Sequence, residues 1–216
     1  MTVPMLQVAL DQMKLSEASR TAEMLVDDVD VLEVGTLLCY AEGAKAVQKI
    51  SEEHPKHIVL ADLKVADAGK TAAEIVFSKG ANWMTVICCA SIATMDAALQ
   101  VARIYDGDIQ VELYGDWTFQ QAKDWQSIGL KQVVYHRSRD AAAAGKNWGT
   151  EDYSKISKLN DMGFEVSVTG GLKHEDIPLF QGMNVKCFIA GRSLYQVTDP
   201  IHSAKRFKEV INTYWS

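Results

Sequence analysis

"HIVLADLKVADAGKTAAEIVFSKGANWMTVICC", residues 57–89, decides the fold. It opens on a short apolar run, HIVLA (57–61), and closes on another, WMTVICC (83–89). Between them KTAAEIVFSKGA (70–81) has helical period and stops at a glycine. Strand, helix, strand is the βαβ unit of a parallel sheet.

The unit recurs along the chain. Runs of the same kind stand at MLQVAL (5–10), VDVLEV (29–34), DIQVEL (108–113), KQVVYH (131–136), FEVSVT (164–169) and VKCFIA (185–190). Their starts fall mostly 21 to 28 residues apart, with one gap of 33 after the sixth. A helix begun by Ser16 carries the stripe Ala18, Ala22, Leu25 and Val26, spaced i, i+4, i+7, i+8. EGAKAVQKISEEHP stops at a proline and TFQQAKDWQSIG at a glycine. Eight such units in 216 residues predict a (β/α)8 TIM barrel, a single domain over residues 1–216. A doubly wound open sheet is the alternative, but no G-x-G-x-x-G follows the first strand.

The totals narrow the function. A net charge of −6 and a pI near 5.4 argue against a nucleic-acid surface or an anionic-membrane anchor. The start, MTVPMLQVALDQMK, has no basic region ahead of its apolar run, so no signal peptide is expected. The longest uncharged stretch, Gly80 to Met95, is 16 residues and holds Asn, Thr and Ser, too short and polar to span a bilayer. Cys39, Cys88, Cys89 and Cys187 form no CxxC pair and sit in or beside apolar runs, as reduced thiols of a cytoplasmic protein do. Adjacent strand residues face opposite ways, so Cys88 and Cys89 are not expected to share a zinc ion.

A TIM barrel places its active site at the carboxyl ends of its strands. There the chain offers Asp11, Glu33, Asp62 with Lys64, Glu112, and His136 with Arg139 just beyond. Ionisable groups converging from five strands are costly to desolvate unless paired or metal-bound, which marks a site rather than a scaffold. Glu33 and Asp62 stand on neighbouring strands, where two carboxylates with water and substrate oxygens suit Mg²⁺. Lys64 beside them would stay cationic and stabilise a developing oxyanion. At the last two strands, Thr169, Gly170, Gly171, Gly191 and Arg192 read as a phosphate cradle, with a short helix over 192–195.

These motifs carry a resemblance. Asp62, Lys64 and Asp67 form a D-x-K-x-x-D motif similar to that of the orotidine 5'-monophosphate decarboxylase suprafamily. With LQVALD, EVGT, LADLKVADAG, VICCA, VVYHRSRD, VTGGL and FIAGRS, the chain resembles the 3-keto-L-gulonate 6-phosphate decarboxylases within it, from Leu6 to Trp215. YHRSRD (135–140) and Glu112 favour these over the 3-hexulose-6-phosphate synthases, aldolases on the same barrel. The resemblance implies loss of CO₂ from a phosphorylated keto-sugar acid through an enediolate, in L-ascorbate utilisation. It implies Mg²⁺ at Asp62 directly and at Glu33 directly or through water, and substrate hydroxyls on Asp11. It implies the phosphate on Gly171, Gly191 and Arg192, and protonation from His136 and Arg139. It also implies a homodimer in which Asp67 reaches into the partner's site. A non-catalytic sugar-phosphate-binding barrel is the alternative from another class; it would have no use for the acid–lysine–acid set.

Overall fold

The computed structural model describes residues 2–137, 145 and 147–215. Eight parallel strands run in chain order around a closed barrel: β1 (Met5–Leu10), β2 (Val31–Val34), β3 (Ile58–Val65), β4 (Trp83–Ile87), β5 (Asp108–Leu113), β6 (Gln132–His136), β7 (Glu165–Thr169) and β8 (Val185–Ala190). Met5 opposite Cys187, through Val8 opposite Ala190, closes it. Around it lie α1 (Leu15–Leu25), α2 (Thr36–Glu42), α3 (Ala44–Glu53), α4 (Gly69–Phe77), α5 (Ile92–Ile104), α6 (Phe119–Ser127), α7 (Thr150–Asp161), α8 (Arg192–Tyr195) and α9 (Pro200–Trp215). A 3₁₀ turn, His174–Phe180, follows β7. The predicted (β/α)8 barrel is the fold that forms.

Strand alternation divides the apolar residues between two cores. Ala9, Val31, Leu60, Val134, Cys187 and Ile189 point inward and fill the barrel. Their neighbours Val8, Leu32, Val59, Val133 and Phe188 point outward and pack beneath the helices. The period of two has a direct consequence for chemistry. Where Leu60 is inward, so is Asp62; where Val134 is inward, so is His136. No helix among the described residues is long and apolar enough to cross a membrane.

Four local features depart from the sequence reading. Helix α1 starts at Leu15 behind Lys14, and Ser16 sits inside its first turn without capping it. Helix α2 has no counterpart in the sequence reading; Gly43, at φ 64°, separates it from α3. Strand β4 ends at Ile87, leaving Cys88 buried and Cys89 exposed. Strand β3 does not stop at Ala61 but continues to Val65. It does so through an irregularity, because Ala61 pairs with Met84 and the next pair is Val65 with Val86. Beyond β3, Ala68 adopts a left-handed conformation, φ 54°, and caps α4. The first residue of α4 is Gly69, where a Cβ would stand 2.0 Å from the carbonyl oxygen of Thr94 in α5. Helices α4 and α5 therefore meet backbone to backbone at that point.

Candidate active site

The carboxyl ends of the strands open into a cavity of about 680 Å³. Into it project Asp11, Glu33, Asp62, Lys64, Glu112, His136, Thr169, Gly170, Gly171, Gly191 and Arg192. Eleven of the thirteen predicted site residues thus share one chamber. Asp67 is exposed, beyond the end of β3, and does not line it. Arg139 lies outside the described residues.

The charged centre is a chain of short contacts. The Lys64 ammonium donates to Asp62 Oδ2 and stands 3.1 Å from Glu112 Oε2. Glu112 Oε1 is 2.5 Å from His136 Nδ1. One carboxylate thus touches both the ammonium and the imidazole. The His136 and Tyr114 rings meet edge to face, centroids 5.5 Å apart. On the other side, Gln7 Nε2 donates to Glu33 Oε2 at 2.5 Å.

Burial makes these charges consequential. Glu33, Asp62 and Glu112 are only 7%, 6% and 2% exposed. Burial opposes the charge on Asp62, but Lys64 and the hydrogen bonds from Lys64 and Thr36 outweigh it, pulling its pKa down to about 2. Burial likewise opposes the Lys64 ammonium, and Asp62 and Glu112 overcome it, so Lys64 is protonated throughout the physiological range. Glu33 goes the other way. Burial first, then repulsion from Asp62 and Asp11, pushes its pKa well above the ordinary carboxylate range. Burial and Asp62 also raise that of Glu112.

Four carboxylates, Asp11, Glu33, Asp62 and Glu112, therefore line the chamber, while Lys64 is the cation bonded to two of them. A hard divalent cation fits this excess of negative oxygen donors. Among the described residues, no three His, Cys, Asp or Glu side chains are grouped to hold an ion by themselves. Water and substrate oxygens would complete its shell, as Mg²⁺ commonly requires.

At the far side, Gly170 and Gly171 have φ of 119° and 67°, and α8 begins at Arg192 directly after Gly191. A Cβ on Gly170 would lie 2.2 Å from the carbonyl oxygen of Arg137. Glycine is required here both for the backbone conformation and for the close approach. Arg137 donates to the Gly170 carbonyl from Nε at 3.0 Å and from its terminal nitrogen at 2.6 Å. Its guanidinium also lies 4.8 Å from the Trp148 ring centre. The Gly170 carbonyl is thus held from behind the cradle.

Sequence reasoning missed several contributors. Thr36 and Thr85 both bond Asp62, at 2.6 and 2.7 Å, and Gln7 bonds Glu33. Counting back from the strand ends in steps of two turns Gln7 and Thr85 inward, though it does not say what they bond. Thr36 closes the quoted EVGT, but only the α2 turn brings it to Asp62.

With the geometry in place, comparison with known proteins is specific. The model of the orotidine 5'-phosphate decarboxylase / HUMPS family matches residues 4–207. The 3-keto-L-gulonate-6-phosphate decarboxylase UlaD of Escherichia fergusonii is 50% identical over 215 residues, covering 100% of both chains. Among solved structures, a ligand complex of KGPDC from Streptococcus mutans is 44% identical with a TM-score of 0.98, and 100% of each chain is covered. The 3-keto-L-gulonate-6-phosphate decarboxylase of Vibrio cholerae is 45% identical with a TM-score of 0.94, again over 100% of both. A 3-hexulose-6-phosphate synthase follows at 30% identity and a TM-score of 0.89, covering 95% of this chain and 99% of that one. The resemblance read from the motifs extends over the whole molecule, and the chain belongs to the orotidine 5'-phosphate decarboxylase / HUMPS family.

Proposed function

We propose that this chain is a carboxy-lyase that converts 3-keto-L-gulonate 6-phosphate to L-xylulose 5-phosphate and CO₂, with Mg²⁺ as cofactor. The observation that carries this reading is the Asp62–Lys64–Glu112–His136 chain, set in one chamber with a glycine-rich cradle. Full-length identity of 50% to a 3-keto-L-gulonate-6-phosphate decarboxylase supports it.

The roles follow from the chemistry of a β-keto acid. Gly171, Gly191 and Arg192 bind the phosphate, with Thr169 and Gly170 shaping the cradle, and so fix the sugar acid's orientation. Asp11 accepts hydrogen bonds from substrate hydroxyls. Loss of CO₂ leaves an electron pair that the neighbouring carbonyl accepts, giving an enediolate. The Lys64 ammonium, charged and held by two carboxylates, donates to the developing oxyanion. His136 then protonates the carbon, with Arg139 assisting, and Glu112 holds the imidazole in place. Asp62 and Glu33 would hold Mg²⁺, which would supply positive charge beside the developing oxyanion.

The same reading makes the protein a homodimer whose sites lie at the subunit interface, with Asp67 entering the partner's chamber. It places the enzyme in L-ascorbate catabolism and in the cytoplasm, since a phosphorylated sugar acid is too highly charged to cross a bilayer unaided.

The test is CO₂ release from 3-keto-L-gulonate 6-phosphate, run beside an assay for aldol addition of formaldehyde to a pentulose phosphate. Decarboxylation should predominate, disappear in excess EDTA and return with Mg²⁺. Aldol addition without CO₂ release would assign the barrel to synthase chemistry instead. Binding of sugar phosphates with neither reaction would make it a sensor.

A further inference from the structure

Strand β3 carries more residues through the site than β4 can pair. Between the pairs Ala61–Met84 and Val65–Val86, three residues of β3, Asp62 to Lys64, face a single residue of β4, Thr85. A bulge of this kind leaves backbone donors without ladder acceptors. The N–H of Lys64 finds its acceptor in a side chain, Thr85 Oγ1, at 2.9 Å. Lys64 itself is held at φ 48°, a left-handed conformation uncommon for a residue with a side chain. Within the bulge, that conformation falls on the residue whose ammonium stands at the centre of the site.

The same hydroxyl donates to Asp62 Oδ1 at 2.7 Å. A second threonine repeats the arrangement on the other carboxylate oxygen. Thr36, the first residue of α2, donates its hydroxyl to Asp62 Oδ2 at 2.6 Å and accepts from Lys64 Nζ at 2.9 Å. Each hydroxyl therefore gives its one proton to Asp62 and takes one from Lys64. One grips the Lys64 side chain and the other grips its backbone. Because a hydroxyl has a single proton, both contacts of each threonine are directional.

We propose that Thr36 and Thr85 are positioning residues that lock the bulge of β3, setting the Asp62 carboxylate plane and the Lys64 ammonium in the arrangement used for oxyanion stabilisation. Neither needs to touch the substrate's reacting atoms. The inference rests on the decarboxylase reading for its consequence in turnover, while the clamp itself is testable without turnover.

The experiment compares Thr85→Val and Thr36→Val, which keep the shape and lose the hydroxyl, with Thr85→Ser and Thr36→Ser, which restore it. Each Val variant should lower kcat by about 10–100-fold, the effect of losing a hydrogen bond to a charged group. KM and the Kd for L-xylulose 5-phosphate should stay within about twofold, because the cradle lies on β7 and β8. The Ser variants should recover most of kcat. Independently of substrate, amide hydrogen exchange at Lys64 should accelerate in Thr85→Val and remain slow in Thr85→Ser and Thr36→Val. Unchanged exchange in Thr85→Val overturns the clamp. So does wild-type kcat in both Val variants, or a parallel loss of kcat, sugar-phosphate affinity and Tm that Ser does not rescue. If the wild type itself released no CO₂, the functional reading would fall, and hydrogen exchange would still decide the clamp.

Discussion

Glu112 and Lys64 are joined at 3.1 Å, and the second oxygen of the same carboxylate lies 2.5 Å from the imidazole of His136. The ammonium assigned to the oxyanion and the imidazole assigned to the proton therefore share one anchor. Placing both on a single buried carboxylate fixes their separation without a rigid link between them. It also makes His136 the side chain through which to test proton delivery. His136→Ala should lower kcat by roughly 10²–10⁴-fold, the usual contribution of a positioned general acid, with KM changed only a few-fold. Added imidazole should restore part of the rate. A variant as fast as wild type would remove His136 from proton delivery.

Glu33 is buried among other acids, which makes it a source of instability in metal-free protein. Its folded-state pKa is raised, so its cost is absent below the unfolded carboxylate value near 4.3 and grows as pH rises towards the folded value. Glu33→Gln keeps an oxygen that can accept from Gln7 and removes the charge. In EDTA at pH 8 the variant should melt roughly 2–4 °C above wild type, equivalent to about 1 kcal/mol, with a smaller gain at pH 5. Decarboxylation should nonetheless be lost. Equal or lower Tm at pH 8 would show that Glu33 is well compensated in the free protein.

Arg192 tests the cradle. Loss of a hydrogen bond from a charged donor should raise KM about 10–100-fold in Arg192→Ala, leaving kcat within a few-fold at saturation. The affinity for L-xylulose 5-phosphate should fall in parallel. An unchanged KM would move the phosphate away from α8.

Asp67 tests the proposed sharing of sites between subunits. Asp67→Asn and Lys64→Ala homodimers should each be nearly inactive. Mixed and re-associated, they form heterodimers in which one site carries both substitutions and the other neither. Activity should return to at most about half that of wild type, by counting intact sites. Verified heterodimers as inactive as both parents would return Asp67 to its own subunit.

The barrel was legible because every strand is a short apolar run and the helices between carry period and stops. The layer of acids was legible for the same reason: once Leu60 and Val134 are inward, Asp62 and His136 follow by alternation. What could not be read lies where alternation fails or where distant residues meet. The bulge in β3 depends on the register against β4, which no local pattern encodes. Threonine is an ordinary strand residue, so nothing in the letters at 85 distinguishes a clamp from a packing choice. Thr36 needed α2, which the sequence did not signal, to bring it to Asp62. Arg137 lies inside the quoted YHRSRD, but nothing there sets it apart until Gly170 folds back against it.

The backbone contact between Gly69 and Thr94 bears on Asp67 as well. Asp67 sits between the end of β3 and a helix whose first residue packs without a side chain against the backbone of α5, with Ala68 in a left-handed turn between them. An acid offered to a second subunit would ordinarily lose side-chain and loop freedom on docking, about 0.5–1.5 kcal/mol for each side chain immobilised. In the proposed dimer, the close backbone contact at Gly69 would leave the loop less of that freedom to lose. Under that proposal the loop would act as a pre-set tooth rather than a flexible arm.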